Sequence, residues 1–234
     1  TIKTDACFLS NPYATQLFMK CVERDLIKGG KLRDVLEFYP PQNADISNIL
    51  SKEINVNPKN LFIGNGAIEV IQAVLHKFVK GKLCVIIPTF SSYYEFVNKD
   101  TEVCFFYLKK EFEFKLEINK LLAFVRDNSI NNVVIINPNN PNGGYLPKEE
   151  LTVLIEDLKS LDNVIIDESF IHFAYEDSEM LQVCNDGLVR NYPNLILIKS
   201  MSKDFGVAGI RAGYGVMHAD RVKALLFNGY LWNI

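Results

Sequence analysis

The chain has 234 residues, 48% of them hydrophobic and 23% charged, and its 28 acidic and 25 basic side chains leave a net charge of −3. Without a dense Lys/Arg block it lacks the electrostatic footprint of a nucleic-acid binder, and its apolar runs stop far short of the roughly 18 residues a membrane-spanning helix needs. The cysteines at 7, 21, 84, 104 and 184 show no C-x-x-C spacing and the three histidines are scattered, so neither a disulfide framework nor a metal site is expected; the thiols read as reduced, in a cytoplasmic protein. The chain starts Thr1-Ile2-Lys3 with no initiator methionine and no secretory leader, and is expected to be a piece of something longer.

In chain order, the pattern predicts a first helix over about Thr15–Lys28, with Leu17, Phe18, Cys21, Val22 and Leu26 on one face and Gly29-Gly30 as its stop. Tyr39-Pro40-Pro41 breaks the chain into a loop, and a second helix is expected over Asp45–Ile54. From Leu61 short apolar runs alternate with amphipathic stretches. Strands are expected at Leu61–Ile63, Leu83–Ile87, Val103–Tyr107, Val133–Ile136, Val164–Ile166 and Leu195–Ile198. Helices are expected at Ala67–Lys80, Ser91–Lys99, Glu117–Asp127 and Pro147–Ser160. Strands apolar on both faces belong to a mostly parallel sheet covered on both sides, which makes the fold class α/β.

Ligands of open α/β sheets sit at the carboxyl ends of the strands. The residues found there are Gly64-Asn65-Gly66, Pro88-Thr89-Phe90, the run Asn137–Gly143, Asp167-Glu168, and Lys199-Ser200-Met201-Ser202-Lys203. Taken singly, Asp167 reads equally well as a capping acid and Lys203 as a surface charge. Together with Arg211 they form a set that suits pyridoxal phosphate: an amine for its aldehyde, a carboxylate for its pyridine nitrogen, and a guanidinium for its phosphate. The helix opening at Gly66-Ala67 would add unpaired amides for the phosphate.

The segment 200–214, Ser-Met-Ser-Lys-Asp-Phe-Gly-Val-Ala-Gly-Ile-Arg-Ala-Gly-Tyr, resembles the S-x-S-K-x-F-G-x-x-G-x-R-x-G-Y signature of fold-type I pyridoxal-phosphate enzymes of aminotransferase class I/II. The nearest branches are the histidinol-phosphate aminotransferases and the threonine-phosphate decarboxylases. The N-P-N-N-P-x-G pattern at 137–143 and the strand closing in Asp167-Glu168 agree, as does the 36-residue step from Asp167 to Lys203 and the eight-residue step on to Arg211. The resemblance implies a three-layer αβα large domain over 41–217, an N-terminal arm over 1–40, and the start of an inter-domain helix and small domain over 218–234. It makes Lys203 the covalent anchor and proton carrier and Asp167 the partner of the pyridine nitrogen. Asn140 would reach the phenolic oxygen, Phe90 would stack on the ring, and Ser200, Ser202, Arg211, Gly66 and Ala67 would hold the phosphate. Asn11 and Tyr13 in Asn-Pro-Tyr, with Asn140, would face substrate. Tyr39 would reach the partner's phosphate in a homodimer.

Two departures stand out. Phe170 occupies the place where many aminotransferases have a tyrosine, which together with Pro88-Thr89-Phe90-Ser91-Ser92-Tyr93 is closer to the threonine-phosphate decarboxylases, and the sequence stops at position 234, short of the family's small domain with its carboxylate-clamping arginine, which is expected either on a longer chain or on another polypeptide. Exposed apolar surface is therefore expected near Leu225, Leu226, Leu231 and Trp232. The leading expectation is an aminotransferase moving an amino group between an amino acid or phosphorylated amine and a 2-oxo acid. Decarboxylation of an O-phospho amino acid is the alternative enzyme reading, and a non-catalytic coenzyme-binding module is a third.

Overall fold

The computed structural model describes residues 11–39, 41–176, 179–180 and 186–227. The chain opens with α1 (Pro12–Cys21), a π-helical stretch (Val22–Lys28) and α2 (Leu32–Glu37). Asn11 caps α1 by accepting from the Tyr13 and Ala14 amides at 3.1 and 3.2 Å, with Pro12 in the first turn. The helix thus begins earlier than its periodicity suggested. Its expected apolar face does not enter the described core: α1 buries no residue, and Leu17 is 62% exposed.

Then follow α3 (Asn43–Ile54), β1 (Leu61–Asn65), α4 (Ala67–Phe78), β2 (Gly81–Ile87), α5 (Ser92–Glu95), β3 (Thr101–Tyr107), α6 (Ile118–Asp127), β4 (Asn132–Ile136), α7 (Lys148–Asp157) and β5 (Asn163–Asp167). A two-residue ribbon, β6 (Tyr175–Glu176) with β7 (Glu179–Met180), precedes α8 (Asp186–Asn191), β8 (Leu195–Ser200), β9 (Ala212–Met217) and α9 (Ala219–Leu226). Seven strands form one sheet in the order β1-β9-β8-β5-β4-β2-β3. Every pairing is parallel except those of β9, which runs antiparallel between β1 and β8.

The sheet is packed on both faces, as the α/β expectation required. On one face α4 inserts Val70, Ile71, Val74 and Leu75, and α9 adds Val222 and Leu225. The other face takes Leu121 and Val125 of α6, Leu151, Leu154 and Ile155 of α7, and Val189 of α8. At about 25 cal/mol per Å², these interlocked aliphatic layers are the main source of stability. Leu225, expected at an exposed docking surface, is fully buried because α9 lies flat on the sheet; Leu226 packs partly against the same cluster, and positions 231 and 232 lie outside the described residues.

Candidate active site

All six parallel strands point their carboxyl ends to one edge. Asp167 is the last residue of the central strand β5, in register with Ile136 of β4 and Ile198 of β8. Phe90 follows β2 by three residues, Asn140 follows β4 by four, and Lys203 follows β8 by three. The sheet register brings them around one cavity of about 200 Å³, which Ala67, Phe90, Asn140, Asp167, Ser200, Ser202, Lys203 and Arg211 line together with Ile68, Ile71, Ile136, Ser169, Phe170 and Ala208.

Asp167 sits at the cavity wall and is 4% exposed. Its Oδ1 accepts the Ser169 amide at 2.8 Å, and its Oδ2 accepts the Tyr93 hydroxyl at 2.7 Å. Burial raises its pKa above the ordinary carboxylate value, against the hydrogen bonds from Ser169 and Tyr93 and the charge of Lys199. Tyr93 is itself fully buried, and burial with the Asp167 charge pushes its hydroxyl well above the usual value, so it stays a donor. Among the described residues no ion pair satisfies Asp167. A buried carboxylate held by two donors and short of a cation is what a protonated ring nitrogen would complete.

The opposite end of the cavity is cationic. Gly66 precedes α4 at φ +78°, and no side chain caps the helix. A Cβ on Gly66 would lie 2.6 Å from Arg211 Nη2, so only glycine lets the guanidinium lie against the mouth of α4. Arg211 itself adopts φ +60°, and its Nη1 donates to the Ala208 carbonyl at 3.1 Å. Gly213 of β9 serves the same junction: a Cβ there would come within 2.4 Å of the Ala67 nitrogen. Uncapped amides, a guanidinium and the Ser200 and Ser202 side chains therefore converge, a donor set suited to a phosphate dianion.

Lys203 Nζ lies 5.7 Å from the Phe170 ring centroid. Its loop is fastened to the start of α1, for the Asn11 amide donates to the Lys203 carbonyl at 3.0 Å and Thr15 Oγ1 donates to the Gly206 carbonyl at 2.6 Å. On the facing loop, Asn139 Nδ2 donates to the Pro88 carbonyl at 2.9 Å and Asn139 Oδ1 accepts from Thr89, which ties the Phe90 and Asn140 segments together.

The structure does not bring every expected residue to the cavity. Asn11 spends its carboxamide on capping α1 and on the Asp204 carbonyl, 3.1 Å away. Tyr13 is 77% exposed and Tyr39 entirely exposed, both outside the cavity. Conversely, Ser169 and the buried Lys199 were not singled out from sequence, and Tyr93 was read only as the end of the segment 88–93, without its bond to Asp167. A signal was present for one of them: Lys199 interrupts an apolar strand.

Over residues 29–228 the chain matches the family described as aminotransferase class I and II. It belongs to that family. The family's coenzyme is pyridoxal phosphate, and the arrangement fits it, with an amine, a buried acid and a cationic cradle disposed around one cavity. The chain is 55% identical to the L-serine phosphate decarboxylase of Campylobacter jejuni over 99% of its own length and 60% of that protein's. A solved decarboxylase structure from Sulfurospirillum multivorans superimposes with a TM-score of 0.87 at 43% identity, covering all of this chain and 63% of that one. The histidinol-phosphate aminotransferase of Clostridium acetobutylicum gives a TM-score of 0.75 at 28% identity over 92% of this chain and 62% of that one. The chain spans about three-fifths of the length of the curated relatives it matches first.

The aminotransferase expectation is corrected by these similarities. Identity to the phosphoserine decarboxylase is about twice that to the aminotransferase. The signature around Lys203 could not separate the two, because the likeness it carries extends to both the aminotransferase and the decarboxylase branches. No helix among the described residues is long and apolar enough to cross a membrane.

Proposed function

We propose that this chain is the coenzyme-binding part of a decarboxylase acting on an O-phosphorylated amino acid of the phosphoserine type. The 55% identity to the Campylobacter jejuni enzyme, spread over 99% of the chain, carries this reading. Phe170 beside Lys203, where many aminotransferases present a hydroxyl, accords with it.

When bound, pyridoxal phosphate supplies an electron-accepting ring for the electron pair left by a broken Cα–carboxyl bond. The chain's own residues do the rest. We assign Lys203 as the anchor of the coenzyme aldehyde and, once released, as the amine that delivers a proton to Cα in place of the departing carbon dioxide. Asp167, fixed by the Ser169 amide and the Tyr93 hydroxyl, would hold a proton on the ring nitrogen. Arg211, Ser200, Ser202 and the Gly66-Ala67 turn would bind the coenzyme phosphate, with Phe90 against the ring and Asn140 at the phenolic oxygen. We take residues 41–217 as the coenzyme domain and 1–40 as an arm.

We further propose a homodimer joined through the arm, where Tyr13, Leu17, Met19, Ile27, Val35, Leu36 and Phe38 are all more than half exposed. A cytoplasmic setting suits the free thiols of Cys21, Cys84 and Cys104. The deciding experiment incubates the full-length enzyme with phosphoserine and, separately, with glutamate. Carbon dioxide and phosphoethanolamine are expected from the first; conversion of the coenzyme to its amine form by glutamate, with no carbon dioxide from phosphoserine, would overturn the assignment.

A further inference from the structure

The two ends of the cavity are joined through one buried serine. Strand β5 ends at Asp167, paired with Ile198 of β8, and the Glu168 amide donates to the Ile198 carbonyl at 2.8 Å. The ladder between the two strands stops there. Beyond it the Ser200 amide donates to the Ser169 hydroxyl at 3.1 Å, and the Ser200 hydroxyl oxygen in turn accepts the Ser202 amide at 3.1 Å. On its other side Ser169 gives its amide to Asp167 Oδ1 at 2.8 Å. Burial raises the Asp167 pKa, and first among the groups opposing it is the Ser169 hydroxyl, ahead of the Tyr93 hydroxyl, the Ser169 amide and the Lys199 charge. The Ser169 carbonyl accepts the Lys199 ammonium at 3.3 Å, and that lysine, with a side chain 4% exposed, is itself paired with Asp204.

The amide, hydroxyl and carbonyl of Ser169 are thus all committed. The bonds run from Ser202 through Ser200 and Ser169 to Asp167, that is, from the donor set suited to a phosphate to the acid suited to a ring nitrogen. A rigid ligand gripped at both ends needs those ends held at a fixed span, and buried hydrogen bonds hold it because leaving one unmade is costly. Resting on the coenzyme reading of this cavity, we propose that Ser169 is a positioning residue that couples the two grips: its amide and hydroxyl hold the Asp167 carboxylate, the same hydroxyl fixes the backbone at Ser200, and the Lys199 bond to its carbonyl pins the turn between them.

Removing one hydroxyl should therefore weaken both grips. Ser169→Ala keeps the amide bond to Asp167, deletes what the hydroxyl gives that acid, and leaves the buried Ser200 amide without its acceptor. Tyr93 offers the contrast. Its hydroxyl donates to Asp167 from α5 at 2.7 Å, with no bond among the described residues to the segment 200–202, so Tyr93→Phe touches the acid end alone. Ser169→Cys keeps a side chain of similar shape with a weaker donor and acceptor. None of these substitutions removes a charge.

The test titrates the full-length apo-enzyme at neutral pH with three probes: pyridoxal phosphate, its analogue with carbon in place of the ring nitrogen, and pyridoxal without the phosphate. All three carry the aldehyde, so the contribution of the anchoring lysine cancels in ratios of affinity. Pyridoxal phosphate over the carbon analogue reads the acid end; pyridoxal phosphate over pyridoxal reads the phosphate end. Asp167→Asn should collapse the first ratio and Arg211→Gln the second, and a wild-type ratio in either would defeat the coenzyme reading of that end. In Ser169→Ala the first ratio is expected to fall about tenfold and the second about threefold, while Tyr93→Phe lowers the first and leaves the second within about twofold. With both controls behaving, Ser169→Ala ratios that stay at wild type, even if all three probes bind more weakly, would dismiss the positioning role and leave the coenzyme reading intact. A fall in only one ratio, or an equal fall of the second in Tyr93→Phe, would dismiss the coupling. Melting reports the folded fraction; should Ser169→Ala not fold, Ser169→Cys is read by the same two ratios, with a fall expected in both.

Discussion

Gly66→Ala perturbs the proposed phosphate cradle at its tightest point. Gly66 stands at φ +78° and ψ 166°, a region essentially closed to residues with a Cβ, and occupying it costs about 1–3 kcal/mol. The added methyl would also lie 2.6 Å from Arg211 Nη2 and 3.1 Å from its Cζ, so the guanidinium must swing away from the mouth of α4. A charge-assisted hydrogen bond lost from the coenzyme phosphate is worth about 1.5–3 kcal/mol, or roughly 10- to 150-fold in affinity. Gly209→Ala is the matched control, for a Cβ there meets nothing within 4 Å. Urea unfolding of the full-length apo-enzyme measures the strain, and coenzyme titration followed by absorbance measures the cradle. Gly66→Ala should lose on both, and Gly209→Ala on neither. Affinity within twofold of wild type in Gly66→Ala, or an equal loss in Gly209→Ala, would refute the assignment of this corner to phosphate.

Tyr93→Phe removes the donor to Asp167 Oδ2 in a fully buried setting and should cost about 1–3 kcal/mol in a urea melt, with weaker coenzyme binding, because the acid then takes up a proton more readily. Asp167→Asn should stabilise the apo-form at neutral pH. The folded Asp167 has a raised pKa, so its favourable contribution is complete below its unfolded value near 4 and is lost as pH rises through the folded value. Melting curves of variant and wild type should therefore diverge above about pH 4, and adding coenzyme should reverse their order. Leu17→Asp with Leu36→Glu should turn a dimer into a monomer in sedimentation, and a dimer that persists would dismiss the arm as its interface. Because both side chains are mostly exposed, the urea midpoint of the dissociated protein should hardly move.

What could be read in the sequence and what could not follows from where each residue finds its partners. The inner parallel strands were legible because both their faces are buried, which writes continuous aliphatic runs such as Val-Ile-Ile before Asp167, whereas the edge strand β3 leaves Phe105 and Tyr107 exposed and was read from its β-branched and aromatic content. Strand β9 was not, because Ala212-Gly213-Tyr214-Gly215 dilutes its apolar content with the residue that strands ordinarily avoid. The reason for those glycines is three-dimensional. A Cβ on Gly213 would strike the backbone of Ala67, and one on Gly215 would come within 3.0 Å of Val70 Cγ1, so the bare strand is what lets α4 settle onto the sheet with its first turn at the cavity. Similarly, the periodicity of α1 told of an apolar face but not of its occupant, and that face is absent from the described core.

The same distinction divides the site. Residues directly at the cavity lie within a few positions of a strand end, where chain direction alone brings them together, so Asp167, Lys203, Asn140 and Phe90 could be named from their spacing and from likeness to a family. Their supports are joined across long stretches of chain: Tyr93 meets Asp167 from 74 positions away, and Lys199 meets the Ser169 carbonyl from 30. A buried lysine in an apolar strand was nevertheless a readable anomaly. Desolvating an ammonium requires a fixed anion, and Asp204 was the acid five residues away. The residues at the cavity are thus announced by their place at strand ends, while the hydrogen bonds and the charge that act on Asp167 come from Tyr93, Ser169 and Lys199 one layer behind it. That charge registers in sequence chiefly as a residue in the wrong company.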